Sequence, residues 1–412
     1  MRPRWLEAPW ARVAAGMFSV GWGANQFSSL LIAYRGERGL PATTADGLFG
    51  VYAVALIAAL LLGGPAADRW GRRVIAVPAV AVSIAASALL IAGDHHAGLL
   101  FAGRFAAGLA SGAIFAAGSS WVKELSAAPY DPGASDGAGA RRAALSLSLG
   151  FGVGPLVAGV IAQWMPAPLI SAYLPHLLIG AVALAAIWRV PETSAGPGGP
   201  GYLARLRIRG TGQPRFRGVV LPAAIWVFAG PAVAIVVLPA LVRDALHGYA
   251  LVFSGAAAIV TLGSGVVVQQ LAHRLDQPGR VRGTLLGLAA TVAGLLLAIW
   301  TALSGSPVLA ILAAVPLGAG YGLGLVSGLR ETQRLAARRE LAGLTAVYYA
   351  LTYAGFGLPL LLAWLHGYAG YPVMLAGIGA AAALCGAAVW RNGVSRVPDT
   401  PVAVPGAAPR WD

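Results

Sequence analysis

Few side chains in this 412-residue chain are of types that do chemistry, and they gather in two places. The first is Gly64-Pro65-Ala66-Ala67-Asp68-Arg69-Trp70-Gly71-Arg72-Arg73, a charged, turn-forming stretch between two long apolar runs. Asp68 can accept hydrogen bonds from the N-terminus of a following helix or from an arginine. Gly71 can take the positive φ of a tight reversal, and Arg69, Arg72 and Arg73 cannot enter a bilayer. This is the chemistry of an ion-paired hinge. The second place is Arg104, a lone cation inside an apolar run. A charge there costs about 2.5–3.5 kcal/mol, so it must face protein or a wet cavity, or reach back to the headgroups. There is no phosphate-binding loop with its lysine, no cysteine and histidine cluster at metal spacing, and no nucleophile beside a histidine and an acid. Neither an enzyme nor a metal or cofactor protein is expected.

The elements that carry these residues are dictated by composition. The chain is 58% hydrophobic and 11% charged with a mean hydropathy of +0.73, against about 25% charged for a soluble domain. An all-α polytopic membrane protein follows. Runs long enough to span the bilayer, roughly twenty residues each, fall at 11–34, 44–67, 74–93, 97–122, 142–165 and 168–189, then at 218–242, 249–272, 283–304, 307–330, 341–365 and 370–390. The first is read as an uncleaved span rather than a signal peptide, because it is long and lacks a cleavage site.

With the N-terminus inside, 25 of the 29 basic residues fall on the cytoplasmic side, which supports twelve spans with both termini cytoplasmic; the expected location is the cell's inner (plasma) membrane. The net charge of +14 is thereby explained by topology, without nucleic acid. Trp121, Trp164, Trp188, Trp300, Trp364 and Trp390 fall near span ends, as an interfacial belt would place them. The lone Cys385 precludes a disulfide within the chain.

Residues 191–217, rich in Pro, Gly and Arg, read as a cytoplasmic linker between an N-terminal six-helix bundle (1–190) and a C-terminal one (218–396), with a tail at 397–412. Tyr202 to Arg209 could form a short basic surface helix. The halves look related: Asp276 to Arg280 repeats Asp68 to Arg72 at an offset of 208, and Arg330-Glu331 repeats Lys123-Glu124 at 207. Gly355-Phe356-Gly357-Leu358-Pro359 echoes Gly150-Phe151-Gly152-Val153-Gly154-Pro155, each in the fifth span of its bundle. In that second stretch Gly150, Gly154 and Gly159 open a groove for close helix approach, and Pro155 removes a backbone donor and permits a bend.

The Gly64 to Arg73 stretch matches G-x-x-x-D-R-x-G-R-R and so resembles the major facilitator superfamily, whose signature lies between helices 2 and 3. Gly150 to Gly159 resembles the G-x-x-x-G-P-x-x-G-G motif of helix 5 in that superfamily's drug and metabolite exporters, with Ala158 in place of the penultimate glycine. Arg104 resembles the helix 4 arginine of those groups, implicated in proton coupling. The resemblance implies a rocking two-bundle transporter, acting as a monomer in the lipid bilayer, that exports a small organic solute in exchange for protons. Uptake, and a membrane enzyme or receptor on the same fold, are the alternatives.

In the superfamily helices 1, 4, 7 and 10 line the path. That implies Trp22, Asn25, Gln26, Arg104, Trp226 and Tyr321 as cavity residues, with Gly64, Asp68, Arg69, Gly71, Arg72 and Arg73 as the cytoplasmic gate. Asn25 and Gln26 could bond Arg104 or a solute, and Trp22 and Trp226, read as repeat-related, could stack on an apolar one. No Asp or Glu lies well inside helices 1, 4, 5, 7, 8 or 10. Asp46, after Thr43, reads as a helix cap, and Glu124 and Glu331 as interfacial ion-pair partners of the neighbouring basic residues. His176 could titrate near neutral pH or fill a local hydrogen bond. Asp94-His95-His96 reads as a short outer turn.

Overall fold

The structure, a computed structural model, describes residues 8–93, 96–135, 138–194, 210–275, 281–336 and 341–394. The expected linker helix at Tyr202, the repeat at Asp276 to Arg280, Asp94-His95, the side chain of Asp46 and the tail at 397–412 lie outside the described residues. Within them, twelve helical spans follow one another. We label them α1 (Pro9–Asn25, continuing as Phe27–Glu37), α2 (Ala42–Trp70), α3 (Arg72–Ala92), α4 (Ala97–Leu125), α5 (Ala138–Trp164) and α6 (Pro168–Ile187). The second half has α7 (Phe216–Leu241), α8 (Ala250–Leu275), α9 (Arg282–Ser304), α10 (Pro307–Leu335), α11 (Leu341–Tyr353 and Leu358–Leu365, joined by a 3-10 turn) and α12 (Tyr371–Val394). Eleven of them, all but α1, are apolar and long enough to cross a bilayer.

The first span is interrupted at Gln26, although Gln26 keeps helical dihedrals (φ −54°, ψ −32°). Side-chain donors take the carbonyls there: Ser28 Oγ donates to Asn25 O at 2.7 Å and Arg104 to Ala24 O at 2.9 Å. Such donors compete with the backbone and loosen a helix. In the second half, π-helical turns precede Pro222 and Pro239 in α7, and the 3-10 turn Ala354–Gly357 precedes Pro359 in α11. Proline lacks the N–H that the regular ladder needs.

The first six spans form one bundle and the last six another, and the repeat is visible in their packing. A Cβ at Gly150 would lie 2.2 Å from Phe18 O and 2.9 Å from Trp22 N. One at Gly355 would lie 2.4 Å from Ile225 O and 2.5 Å from Ala229 N. The fifth helix of each bundle therefore closes on its first helix at equivalent positions. This equivalence corrects one sequence expectation: Ala229, not Trp226, occupies the place of Trp22.

Large apolar side chains such as Val54, Leu178, Val182, Val267, Leu296 and Leu384 face outward, more than 60% exposed. In water such a surface would aggregate; in lipid it is the required one. Trp164, Trp188, Trp300, Trp364 and Trp390 are exposed near helix ends, as the belt predicts. Trp121 is not: it is fully buried and donates its indole N–H to Pro191 O at 2.9 Å.

The bundles meet along two seams, α5 against α8 and α2 against α11. A Cβ at Gly159 would lie 2.6 Å from Leu251 O, and one at Gly255 2.8 Å from Pro155 O. Gln163 donates to Gly248 O at 3.0 Å, and Gly50 approaches Leu360. These contacts run from mid-span to the face opposite Asp68.

Candidate functional site

The hinge between α2 and α3 is tighter than the sequence suggests. Asp68 and Arg69 are still helical, and Gly71 alone separates the helices, at φ 113° and ψ 151°. Only glycine adopts that conformation readily. Its missing side chain serves a second purpose, because a Cβ there would lie 2.6 Å from a carboxylate oxygen of Glu192. Glu192 caps α3 from the far end of the bundle: its Oε1 accepts from Arg72 N and its Oε2 from Arg73 N, both at 2.9 Å. It also accepts from Thr193 N and Ser194 N. Partial burial opposes its ionisation, but the N–H donors of Ser194, Arg73, Arg72 and Thr193 prevail and hold the carboxyl below its ordinary range.

Asp68, for which the sequence offered two partners, pairs with Arg72, which also bonds Glu124 at 3.0 Å. Thr193 donates to Glu124 and Ser194 to Asp68 O. The chain leaving α6 is thus fastened to the hinge. Nothing in the sequence pattern marked Glu192 beyond its place after Pro191. A Cβ added at Gly64 would meet no described atom within 4 Å, so packing does not demand glycine there. In the other half Glu331 of α10 pairs with Arg215, just ahead of α7, and lies 3.5 Å from Arg334. Glu124 and Glu331 are thus ion-paired at the ends of α4 and α10, with Arg72, Arg215 and Arg334 as the partners.

Arg104 is 1% exposed, so it does not snorkel. Its Nε donates to Leu48 O at 3.2 Å and a terminal nitrogen to Ala24 O, and its guanidinium lies 4.3 Å from the Tyr52 ring centroid and 4.6 Å from that of Phe27. Carbonyl dipoles and ring faces solvate the charge in place of water. Asn25 and Gln26 do not bond it. Asn25 turns to Phe151 O at 2.7 Å and Gln26 to Ser87 Oγ at 2.9 Å, because their side chains face α5 and α3 rather than α4.

Trp22 packs edge-on against Phe18 beside Gly150 and Gly154, and Trp226 lies in the second bundle's core. The indole N–H of each finds no acceptor among the described residues. Tyr321 sits 5.3 Å from Phe228. The structure thus gathers Trp22, Asn25 and the α5 motif on one side, and Tyr321 on the other. Between them runs an aromatic bridge that sequence reasoning missed: Phe151, Phe115, Tyr353, Phe228 and Phe356, with Phe115 stacked on Tyr353 at 6.0 Å across the bundle boundary and Phe228 on Tyr353 at 4.4 Å within the second bundle. The spacing of Tyr349, Tyr353 and Phe356 on one face of α11 was the available signal.

Two six-helix bundles related by an internal repeat, joined at seams lined by small residues, define a polytopic secondary transporter. The profile of the Major Facilitator Superfamily matches residues 13–358, and the chain belongs to that family. Its fold is similar to that of a peptide transporter crystallised with sulfate (TM-score 0.71, 18% identity, 93% of this chain and 95% of that one). It is also similar to that of a POT family transporter in complex with 5-aminolevulinic acid (TM-score 0.68, 15% identity, 95% and 96%). No curated protein sequence matches significantly.

Proposed function

We propose that this transporter exports a small neutral or anionic amphipathic solute in exchange for protons, with the Asp68 hinge on the cytoplasmic side. The observation that carries the reading is the α5 motif at the seam. Gly150 and Gly154 bring α5 onto α1, and Gly159 with Gly255 brings it onto α8, so one helix ties its own bundle and the opposite one together on the outer side. Such a seal keeps an exporter from leaking backward while its cytoplasmic side is accessible. On the inner side the Asp68, Glu124, Glu192 and Arg72 network binds α2, α3, α4 and the chain leaving α6 within the first bundle, and it rearranges as the bundles rock.

The solute class follows from the charges. Arg104 is a mid-bundle cation, the two buried indole N–H groups are donors, and no carboxylate stands in the middle of a span. Acceptor-bearing solutes suit that inventory. Transport of peptides, the solutes named for one of the structural neighbours, would leave a peptide ammonium without a carboxylate at mid-span.

Proteoliposomes with an internal pH dye, challenged with neutral, anionic and cationic amphipathic compounds, test the reading. Compound-triggered proton movement, strongest for neutral and anionic members, is expected. Compound movement without any pH change would defeat proton coupling, and cation export that depends on Arg104 would defeat the solute class.

A further inference from the structure

Proton exchange requires a group that takes up and releases the proton, and the carboxylate that would serve is missing from the spans. One side chain of suitable chemistry remains unused. His176, midway along α6, is the one histidine in the middle of a span among the described residues, and it is fully buried. Its imidazole lies against the α1 backbone, where a Cβ at Gly23 would fall 2.4 Å from Nε2. Nδ1 is 2.8 Å from Ser87 Oγ, and Nε2 is 3.4 Å from Ser83 Oγ and beside the Ser19 backbone. Ser87 Oγ accepts from Gln26 Nε2 at 2.9 Å, and Gln26 is the residue at which α1 is interrupted. Gln26 Oε1 has no hydrogen-bond partner among the described residues.

We infer that His176 is the coupling-proton carrier and that it acts on the α1 interruption through Ser87 and Gln26; this rests on the proton-exchange reading above. The bond directions support it. Ser87 Oγ accepts from Gln26 and still has its single hydrogen to give to Nδ1; the relay uses that arrangement, with the neutral ring's hydrogen on Nε2. Protonation forms an Nδ1–H bond that must donate to Ser87 Oγ. The Ser87 hydroxyl hydrogen then loses its acceptor, and Gln26 Oε1 can receive it once the amide turns over. One proton enters and no other bond to hydrogen changes hands. The outcome is a reversed hydrogen bond at the one place where α1 is already loosened.

The elements packed on α6 around His176 are α1 and α3, while α5 meets only its first turn. They turn Ser19, Gly23 and Gln26, and Ser83 and Ser87, toward the ring. The titratable groups beyond these are Tyr34 and Tyr173, whose hydroxyls meet at 3.2 Å, and Arg104, held by Ala24 O.

The experiment needs no identified solute. Spin labels at Glu37→Cys and Tyr368→Cys, in a Cys385→Ala background, report the outer separation of the bundles in the reconstituted full chain. Between about pH 8 and pH 4, as the buried ring takes up a proton, the distance distribution should shift. The shift should vanish in His176→Asn, or in His176→Gln if the first variant is not monodisperse. Ser87→Ala should move the midpoint to lower pH, since the imidazolium loses the acceptor of its Nδ1–H, a stronger bond than the one the neutral ring loses. Absence of a shift in the parent, or its persistence in both His176 variants, overturns the inference. A midpoint unmoved by Ser87→Ala overturns the relay. In the pH-dye assay, solute-driven proton movement that survives His176→Asn overturns the carrier role while leaving proton exchange standing. A parent without proton movement removes both.

Discussion

At the residue scale, the side chains that hold the hinge are better tests than those that merely populate it. Glu192 caps α3 through two backbone N–H groups, and its folded carboxyl titrates below its ordinary value of 4.5. A depressed carboxyl contributes stability above its unfolded pKa and loses it as pH falls through the folded one. Glu192→Gln should therefore cost about 1 kcal/mol at neutral pH, toward the lower part of the capping range because the site is open to solvent. The difference in melting temperature from the parent should shrink below about pH 4.5; a constant gap would show that charge is irrelevant there. Arg104 makes a different prediction. Lysine keeps the charge but cannot reach both Leu48 O and Ala24 O while lying across two rings. Loss of one charge-assisted bond, about 1.5–3 kcal/mol, corresponds to roughly a ten- to hundredfold fall in transport. Full activity of Arg104→Lys would show that charge alone suffices.

At the element scale, the tolerance of a glycine depends on which backbone it faces. Gly64 faces open space, so Gly64→Ala should change stability by less than about 0.5 kcal/mol. Gly159→Val drives a side chain into Leu251 O across the seam and should cost about 1–3 kcal/mol. It should also raise the labelling rate of a cysteine placed at Ser29, which α5 covers through the 2.8 Å bond from Ser29 Oγ to Pro155 O. Equal labelling in parent and variant would argue that the seam does not depend on this contact. The spans themselves were legible in the sequence, because apolar length and arginine placement are one-dimensional signals. The interruption at Gln26 was not, since it depends on donors from Ser28 and from Arg104 of another helix. The same limit applies to Glu192, which meets the hinge across some 120 residues.

At the scale of the whole molecule, the sequence repeat announced two related bundles but could not show where they touch. Those contacts join residues with no pattern in common, such as Tyr52 with Phe356 at 6.4 Å and Gly50 with Leu360. If transport requires the bundles to rock, the α2–α11 seam must open once in every cycle. A bridge across it should then arrest net transport without disturbing either bundle. Cysteines at Gly50 and Leu360, in a Cys385→Ala background, are placed for a short bis-methanethiosulfonate, which links them through reducible disulfides, since a Cβ at position 50 lies 3.2 Å from the Leu360 side chain. Cross-linked protein should lose transport and regain it on reduction, whereas the single-cysteine proteins treated alike should remain active. Transport that survives complete cross-linking would mean that solute passes while this seam stays shut. The moving boundary would then have to be sought along α5 and α8 alone.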